Sequence, residues 1–455
     1  MTTSRDPTRH PLVTWATDRF MAVECAPRFR RLGTVQEITG LTMVSQGPPA
    51  QLGETCHVTT ALNSDPVLAQ VVGFRDGRVL LLSLGETRGI QPGCQVVATG
   101  EQLSVPVGPE LLGRVLDAFG CPIDDRGALN GLRRRPVHAN APRPMDRRSL
   151  AEPMFTGVTA IDVMLTCARG QRVGIFSGSG VGKSTLLGMI ARNSGADVNV
   201  IALVGERGRE VIDFVEHKLG PALPRSVIVV ATADEPPLVR LQAGFAATTI
   251  AEYFRDQGMH VMLMMDSITR MARAQREVGL AAGELPANRG FPPSVYAMLP
   301  ALVERAGPSA QGTITGMYTV LVEGDDMLEP IADSVRATLD GHIVLSRDLA
   351  ERNHYPAIDI NQSVSRSMND IIDDRHRELA DKTRRLLRTY ADIEDLVAVG
   401  AYEAGGDAWV DAAVTVHQRL EGFLRQRIDE HTDAAGAIAR LAEIAAVADP
   451  VIGRG

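Results

Sequence analysis

Apolar and polar positions along the chain change rhythm twice. Between about Phe29 and Gly100, short apolar runs such as LAQVVGF and VLLLSL are broken by turn residues, with Arg75-Asp76-Gly77-Arg78 lying between those two. Asp-Gly in that setting predicts a tight hairpin, because both central residues of the favoured turn need φ > 0. Further punctuation at Gly40, Gly47-Pro48-Pro49, Gly89 and Pro92-Gly93 extends this into a small all-β domain. Closure into a barrel would leave its short strands no unpaired edge. From Gly108 to Pro144 the chain is rich in Pro and Arg, includes Arg133-Arg134-Arg135-Pro136, shows no periodicity, and reads as a solvated linker.

The second rhythm begins at Thr156. The runs RVGIF, VNVIALV, SVIVVAT and HVMLMMD are apolar throughout and alternate with longer segments of helical spacing. Strands buried on both faces have this signature, so the pattern predicts a doubly wound parallel sheet, an α/β fold. After about Asn369 strand signals stop. Leu379, Leu386, Leu387, Tyr390 and Ile393 then recur at helical spacing, and beyond a Gly405-Gly406 break further helical stretches run to Val447, which predicts a helical C-terminal domain.

Composition narrows the possibilities. At 455 residues the chain calls for two or three domains. Aromatics make up 4 % of it and the formal net charge is −8, which leaves few rings to stack bases and opposes a phosphate backbone, so no nucleic-acid partner is expected. Cys25, Cys56, Cys94, Cys121 and Cys167 are scattered, odd in number and without a C-x-x-C pair. Neither a disulfide framework nor a zinc site is indicated, and a reducing compartment is. The opening MTTSRDPTRHPLV has no secretory pattern, and no run reaches the roughly 20 apolar residues of a membrane helix, so the expected location is the cytoplasm.

The chemistry is concentrated in the α/β part. RVGIF runs into Ser177-Gly178-Ser179-Gly180-Val181-Gly182-Lys183-Ser184-Thr185, and the helical segment LLGMIARN follows. Strand, glycine loop and helix in that order make a phosphate cradle: backbone N–H groups turn toward the anion through conformations a Cβ would block. Lys183 brings a charge to the β- and γ-phosphates of ATP, and the Ser184 hydroxyl can join a Mg²⁺ shell. Ser177 departs from the strict motif, which has Gly there; a small residue suits the turn.

Two later strand ends bear carboxylates. VMLMM ends in Asp266, where open α/β sheets bind ligands, and Asp266 can hold Mg²⁺ through water. The competing reading, a cap on the following helix, has less in its favour. NVIALV leads into Gly205-Glu206-Arg207-Gly208-Arg209-Glu210. Glu206 could orient the attacking water and Arg207 offset charge on the phosphoryl group, but spacing alone supports a solvated turn equally well.

Taken together, GSGVGKST, GERGREV, the strand ending in Asp266-Ser267, LPALVERAG, YTVLVEGDDMLEPIAD, GHIVLSRDLAERNHYPAID and SVSR resemble the type III export ATPases. These are the flagellar and injectisome relatives of the catalytic subunit of rotary ATP synthases. The resemblance covers nearly the whole chain and implies an RecA/F1-like P-loop core between an N-terminal β-barrel domain and a C-terminal helical domain. Expected limits are 1–28 for an N-terminal segment, 29–104 for the barrel, 105–368 for the ATPase domain and 369–455 for the helical domain. By this resemblance Glu206 activates the water, Arg207 accompanies it near the γ-phosphate, and Arg270 lines the pocket. Tyr355 packs on adenine, and Arg366 is an arginine finger inserted into a neighbour's site. Alanine is usual in the family where this chain has Ser177.

The implied function is ATP hydrolysis in a homohexameric ring that assists protein export, by chaperone release, substrate unfolding and loading of the export gate. The flagellar version is favoured on general likeness, with the injectisome version as the alternative. Implied partners are a peripheral stalk regulator, a coiled-coil central stalk protein, the export gate and chaperone–substrate complexes, at the cytoplasmic face of the inner membrane. Two other classes fit the sequence less well. A non-catalytic ring subunit would carry glutamine in place of Glu206, and a ring helicase would add an RNA-binding domain of which the N-terminal region shows no sign.

Overall fold

The computed structural model describes residues 32–60 and 65–453, so the predicted segment 1–28 lies outside the described residues. The chain divides into two compact units, with the boundary between Gln102 and Leu103.

In the first unit, six strands among the described residues close a barrel in the order β1-β2-β5-β4-β3-β6: β1 (Leu32–Thr39), β2 (Thr42–Gln46), β3 (Glu54–Val58), β4 (Val67–Arg75), β5 (Arg78–Ser83) and β6 (Gln95–Gln102). The Asp-Gly hairpin forms as expected. Arg75 pairs with Arg78, and Asp76 and Gly77 take φ of 50° and 71°. Inward positions such as Val35, Met43, Cys56, Val71, Leu81 and Val96 fill the barrel.

The second unit contains β7 (Ser104–Val107), β8 (Val115–Leu116), β9 (Arg133–Pro136), β10 (Pro153–Met154), β11 (Cys167–Ala168), β12 (Arg172–Ser177), β13 (Val198–Glu206), β14 (Ser226–Thr232), β15 (His260–Asp266), β16 (Gly307–Pro308), β17 (Thr313–Leu321), β18 (Gly341–Leu345) and β19 (Ile358–Ser365). Among the described residues its main sheet has nine strands, in the order β19-β18-β12-β17-β15-β13-β14-β8 with β16 on β17. Strands β18, β12, β17, β15, β13, β14 and β8 run parallel, and β19 returns antiparallel on β18. Every residue of β13 and β15 is buried, which is why those segments carry no polar alternation.

Residues 108–144 are not a solvated linker. Val115 pairs with Ile228 to make β8 an edge of the main sheet, β9 pairs antiparallel with β7, and Leu111, Leu116, Ala118 and Val137 are buried. Strands of two and four residues, interrupted by Pro, are too short to show a period. Arg114 and Asp124 form a nearly buried ion pair at 2.8 Å within this segment.

Past the sheet, helices Asp374–Ala398, Ala408–Leu424 and Ala434–Ile452 pack together. Leu386 of the first, Val416 and Leu420 of the second, and Leu441 and Ala448 of the third share their core with the sheet side of the unit. Asp373, Asp407 and Asp433 each cap the helix that follows by accepting its backbone N–H groups.

Candidate active site

Because β12, β17, β15 and β13 are parallel neighbours, their carboxyl ends share one edge of the sheet. Ser177, Glu206 and Asp266 all end strands there, where such sheets place ligands. From Ser177 the chain passes through the glycine loop into helix Lys183–Asn193. Gly182 precedes that helix at φ 94°, and a Cβ on it would stand 3.6 Å from the Tyr355 ring. The positive φ explains a glycine here, since the ring contact is an ordinary one. The Ser177 side chain is buried and its hydroxyl has no hydrogen-bond partner, so the position is selected for small size rather than for polarity.

Lys183 Nζ is ion-paired to Asp266 Oδ1 and lies 3.8 Å from Glu206 Oε1. The Thr319 hydroxyl, on the strand between β12 and β15, donates to the same Asp266 oxygen at 2.8 Å. Asp266 is therefore held from two sides and is not the cap of the helix after it, a role that Ser267 takes by accepting from the Arg270 N–H. Glu206 is 7 % exposed, which removes the solvated-turn alternative. Its Oε2 is ion-paired with Arg270 NH2 at 3.1 Å, while Oε1 is buried without a hydrogen-bond partner. Gly205 permits this approach, since a Cβ there would stand 2.9 Å from Arg270 Cδ.

Burial raises the Glu206 carboxyl, and a hydrogen bond with the Glu210 carboxyl and the charge of Asp266 add to it. Lys183 and Arg270 pull the other way, and the outcome is a pKa raised to about 7. Glu210 shifts downward, chiefly through the same shared hydrogen bond. A buried acceptor poised near neutrality beside a lysine and an arginine has the properties of a general base.

The other expected residues fall at three places. Tyr355 is 42 % exposed and, with Gly180, Val181, Gly182 and Thr185, lines a cavity of about 790 Å³ beside the glycine loop. Arg207 stays outside the Lys183–Glu206–Asp266 cluster, with an exposed side chain 3.9 Å from Glu210. Arg366 is exposed at the opposite edge of the sheet. Its neighbour Ser365 pairs with Gly341, which pairs with Val173, whereas Ser177 marks the phosphate edge. Four residues of strand separate those levels, roughly 13 Å at about 3.3 Å per residue. Arg366 therefore cannot reach the site of its own chain.

Sequence reasoning missed Glu210, Thr319 and the segment Arg425–Glu430, which supplies one wall of the cavity. Glu210 was legible as the second acid of GERGRE. Thr319 and the Arg425–Glu430 wall carry no local signal, since only strand order and chain return bring them to the site.

Fold and site together define a P-loop nucleotide-binding protein. Family models for the ATP synthase alpha/beta family match its beta-barrel domain at residues 35–100 and its nucleotide-binding domain at 157–365, and one for the T3SS EscN ATPase C-terminal domain matches 372–443. The chain belongs to the family of flagellum-specific and type III secretion export ATPases. It is 54 % identical to the flagellum-specific ATP synthase of Treponema pallidum, over 88 % of this chain and 90 % of that one. With the type 3 secretion system ATPase of Xanthomonas euvesicatoria it shares 50 % identity over 88 % and 91 %. Among solved structures, the assembled ATPase EscN of the enteropathogenic E. coli type III secretion system superposes with a TM-score of 0.87 at 44 % identity, covering 91 % of this chain and all of that one.

Proposed function

We propose that the chain hydrolyses ATP within a homohexameric ring to assist protein export, with Glu206 as the general base. The observation that carries the base assignment is the buried Glu206 carboxylate 3.8 Å from the phosphate-loop lysine. Lys183 and the loop N–H groups from Gly178 to Thr185 bind the phosphates, and Tyr355 packs on the base. Arg270 orients Glu206 through their 3.1 Å contact. Arg207 stands at the rim of the site, and Arg366 serves the neighbouring subunit.

The donor set fits Mg²⁺. Asp266 ends a buried strand beside the phosphate-loop lysine, and Ser184 stands in the first turn of the helix that follows the loop. That suits an ion that keeps several waters and shares phosphate oxygens, with only Ser184 and, through water, Asp266 contributed by the protein. When bound, Mg²⁺ neutralises charge on the β- and γ-phosphates. Glu206 accepts the proton of the attacking water and so must be ionised beforehand. A raised acid ionises only as pH climbs through its pKa, so kcat/KM for ATP should rise across the region of about 7 and level off above it. The residual activity of Glu206→Gln should lack that rise; a rise that persisted in the variant would belong to the substrate phosphate.

Assembly is supported by the likeness to assembled EscN, and a central stalk partner by the matching structure of EscN with its central stalk EscO, at a TM-score of 0.83. The remaining partners implied by the family are a peripheral stalk regulator, an export gate and chaperone–substrate complexes. The working place is the cytoplasmic face of the inner membrane. No helix among the described residues is long and apolar enough to cross a membrane. We take 29–104, 105–368 and 369–455 as the functional divisions, and the flagellar apparatus as the system. Expression in a strain lacking its own flagellar export ATPase should restore swimming, and Lys183→Ala should not. Restoration of injectisome secretion instead, in the matching deletion strain, would assign the other system.

A further inference from the structure

The cavity beside the glycine loop is walled by two segments distant in sequence, Tyr355–Ala357 and Arg425–Glu430. One side chain joins them to the core. Gln426 lies just beyond the end of helix Ala408–Leu424 and is 6 % exposed. Its Oε1 accepts the Thr159 N–H at 2.8 Å. Its Nε2 donates to the carbonyl oxygens of Gly157 at 2.8 Å and Glu430 at 3.0 Å. Its backbone N–H donates to the Tyr355 carbonyl at 2.9 Å. Both amide donors and the amide oxygen are engaged, and the fixed polarity of the two Nε2 acceptors and the Thr159 donor allows only one orientation of the amide.

Accepting from an N–H while donating to two carbonyls is possible for glutamine and impossible for glutamate, so the site reads the amide and not merely its shape. The consequences reach both walls. The Glu430 bond folds the Arg425–Glu430 turn onto itself, the Tyr355 bond fixes the backbone that carries the aromatic ring, and the Gly157 and Thr159 bonds tie both to the core.

We infer that Gln426 is a positioning residue for the base end of the nucleotide site, holding Tyr355 and the Arg425–Glu430 turn in register with the phosphate loop. This rests on the reading that the cavity takes ATP. The residue touches neither the phosphate loop lysine nor Glu206, so its influence falls on affinity for the base and not on the chemical step.

The test compares two ligands that share phosphates but not the base, ATP and inorganic tripolyphosphate. Gln426→Glu keeps the shape and turns both donors into acceptors facing carbonyl oxygens. The Kd for ATP should then rise about tenfold, the scale of one or two buried hydrogen bonds, while that for tripolyphosphate stays within about twofold and saturated kcat within about threefold. Gln426→Met keeps the length of the side chain and removes its hydrogen bonds to Thr159, Gly157 and Glu430 without adding a charge. This variant should weaken ATP about threefold with tripolyphosphate unmoved, and it carries the test if Gln426→Glu fails to fold. Equal weakening of both ligands would reduce Gln426 to a structural residue and overturn the inference, as would unchanged ATP affinity. If the unaltered protein bound tripolyphosphate but not ATP, the nucleotide reading itself would fall.

Discussion

Replacing Glu206 by glutamine should leave a folded protein that binds ATP within a few-fold of the original and turns it over on the order of a thousandfold more slowly, the usual scale for removing a general base. Glutamine keeps the volume beside Arg270 NH2, which lies 3.1 Å from the carboxylate. It cannot take a proton from water. Its burial is also cheaper than that of a carboxylate, so folding should not suffer. Lys183→Ala differs in kind, because it removes a charge that binds the phosphates and should weaken ATP binding and turnover together. Isothermal titration and steady-state ATPase assays on both variants separate the cases. Should the Glu206→Gln enzyme retain a tenth or more of the normal kcat, another group activates the water.

Arg366→Ala should cost a thousandfold or more in turnover with ATP affinity nearly intact, the effect expected of an arginine supplied to the transition state. What makes this a statement about assembly is the position of Arg366 on the edge of the sheet opposite its own phosphate loop. An arginine that cannot reach its own site can act only on another subunit's, so hydrolysis per subunit should climb with protein concentration through the range of ring formation. A mixing experiment is sharper. Subunits carrying Arg366→Ala have an intact phosphate loop, and subunits carrying Lys183→Ala have an intact Arg366. Each alone should be inactive, yet random mixing in a head-to-tail ring should rebuild competent pairs at roughly a quarter of the sites. Absence of any recovery in confirmed mixed rings would remove Arg366 from the catalytic role.

Much of this was readable along the chain. The Asp76-Gly77 hairpin, the four buried strands, the phosphate loop and the C-terminal helices each rest on a local rule, and each formed where the rule placed it. The connector at 108–144 has the pattern of a linker yet forms strands, because strands as short as β8 and β9 have no period to detect. Glu206 could not be resolved by spacing: an acidic-basic turn and a catalytic carboxylate look alike until burial is known.

The order of residues by itself determined which segments become strands and helices, and which residue types stand at the strand ends, because backbone propensity and side-chain periodicity act over a few neighbours. Only the tertiary structure decided the order of those strands. That order sets Thr319 against Asp266, brings Gln426 back to Gly157 and Thr159, buries Glu206 beside Lys183, and sends Arg366 to the far edge. The physical reason is that each of these contacts closes a long loop of chain, and such contacts form only where the packing of the whole core repays the entropy of closing it.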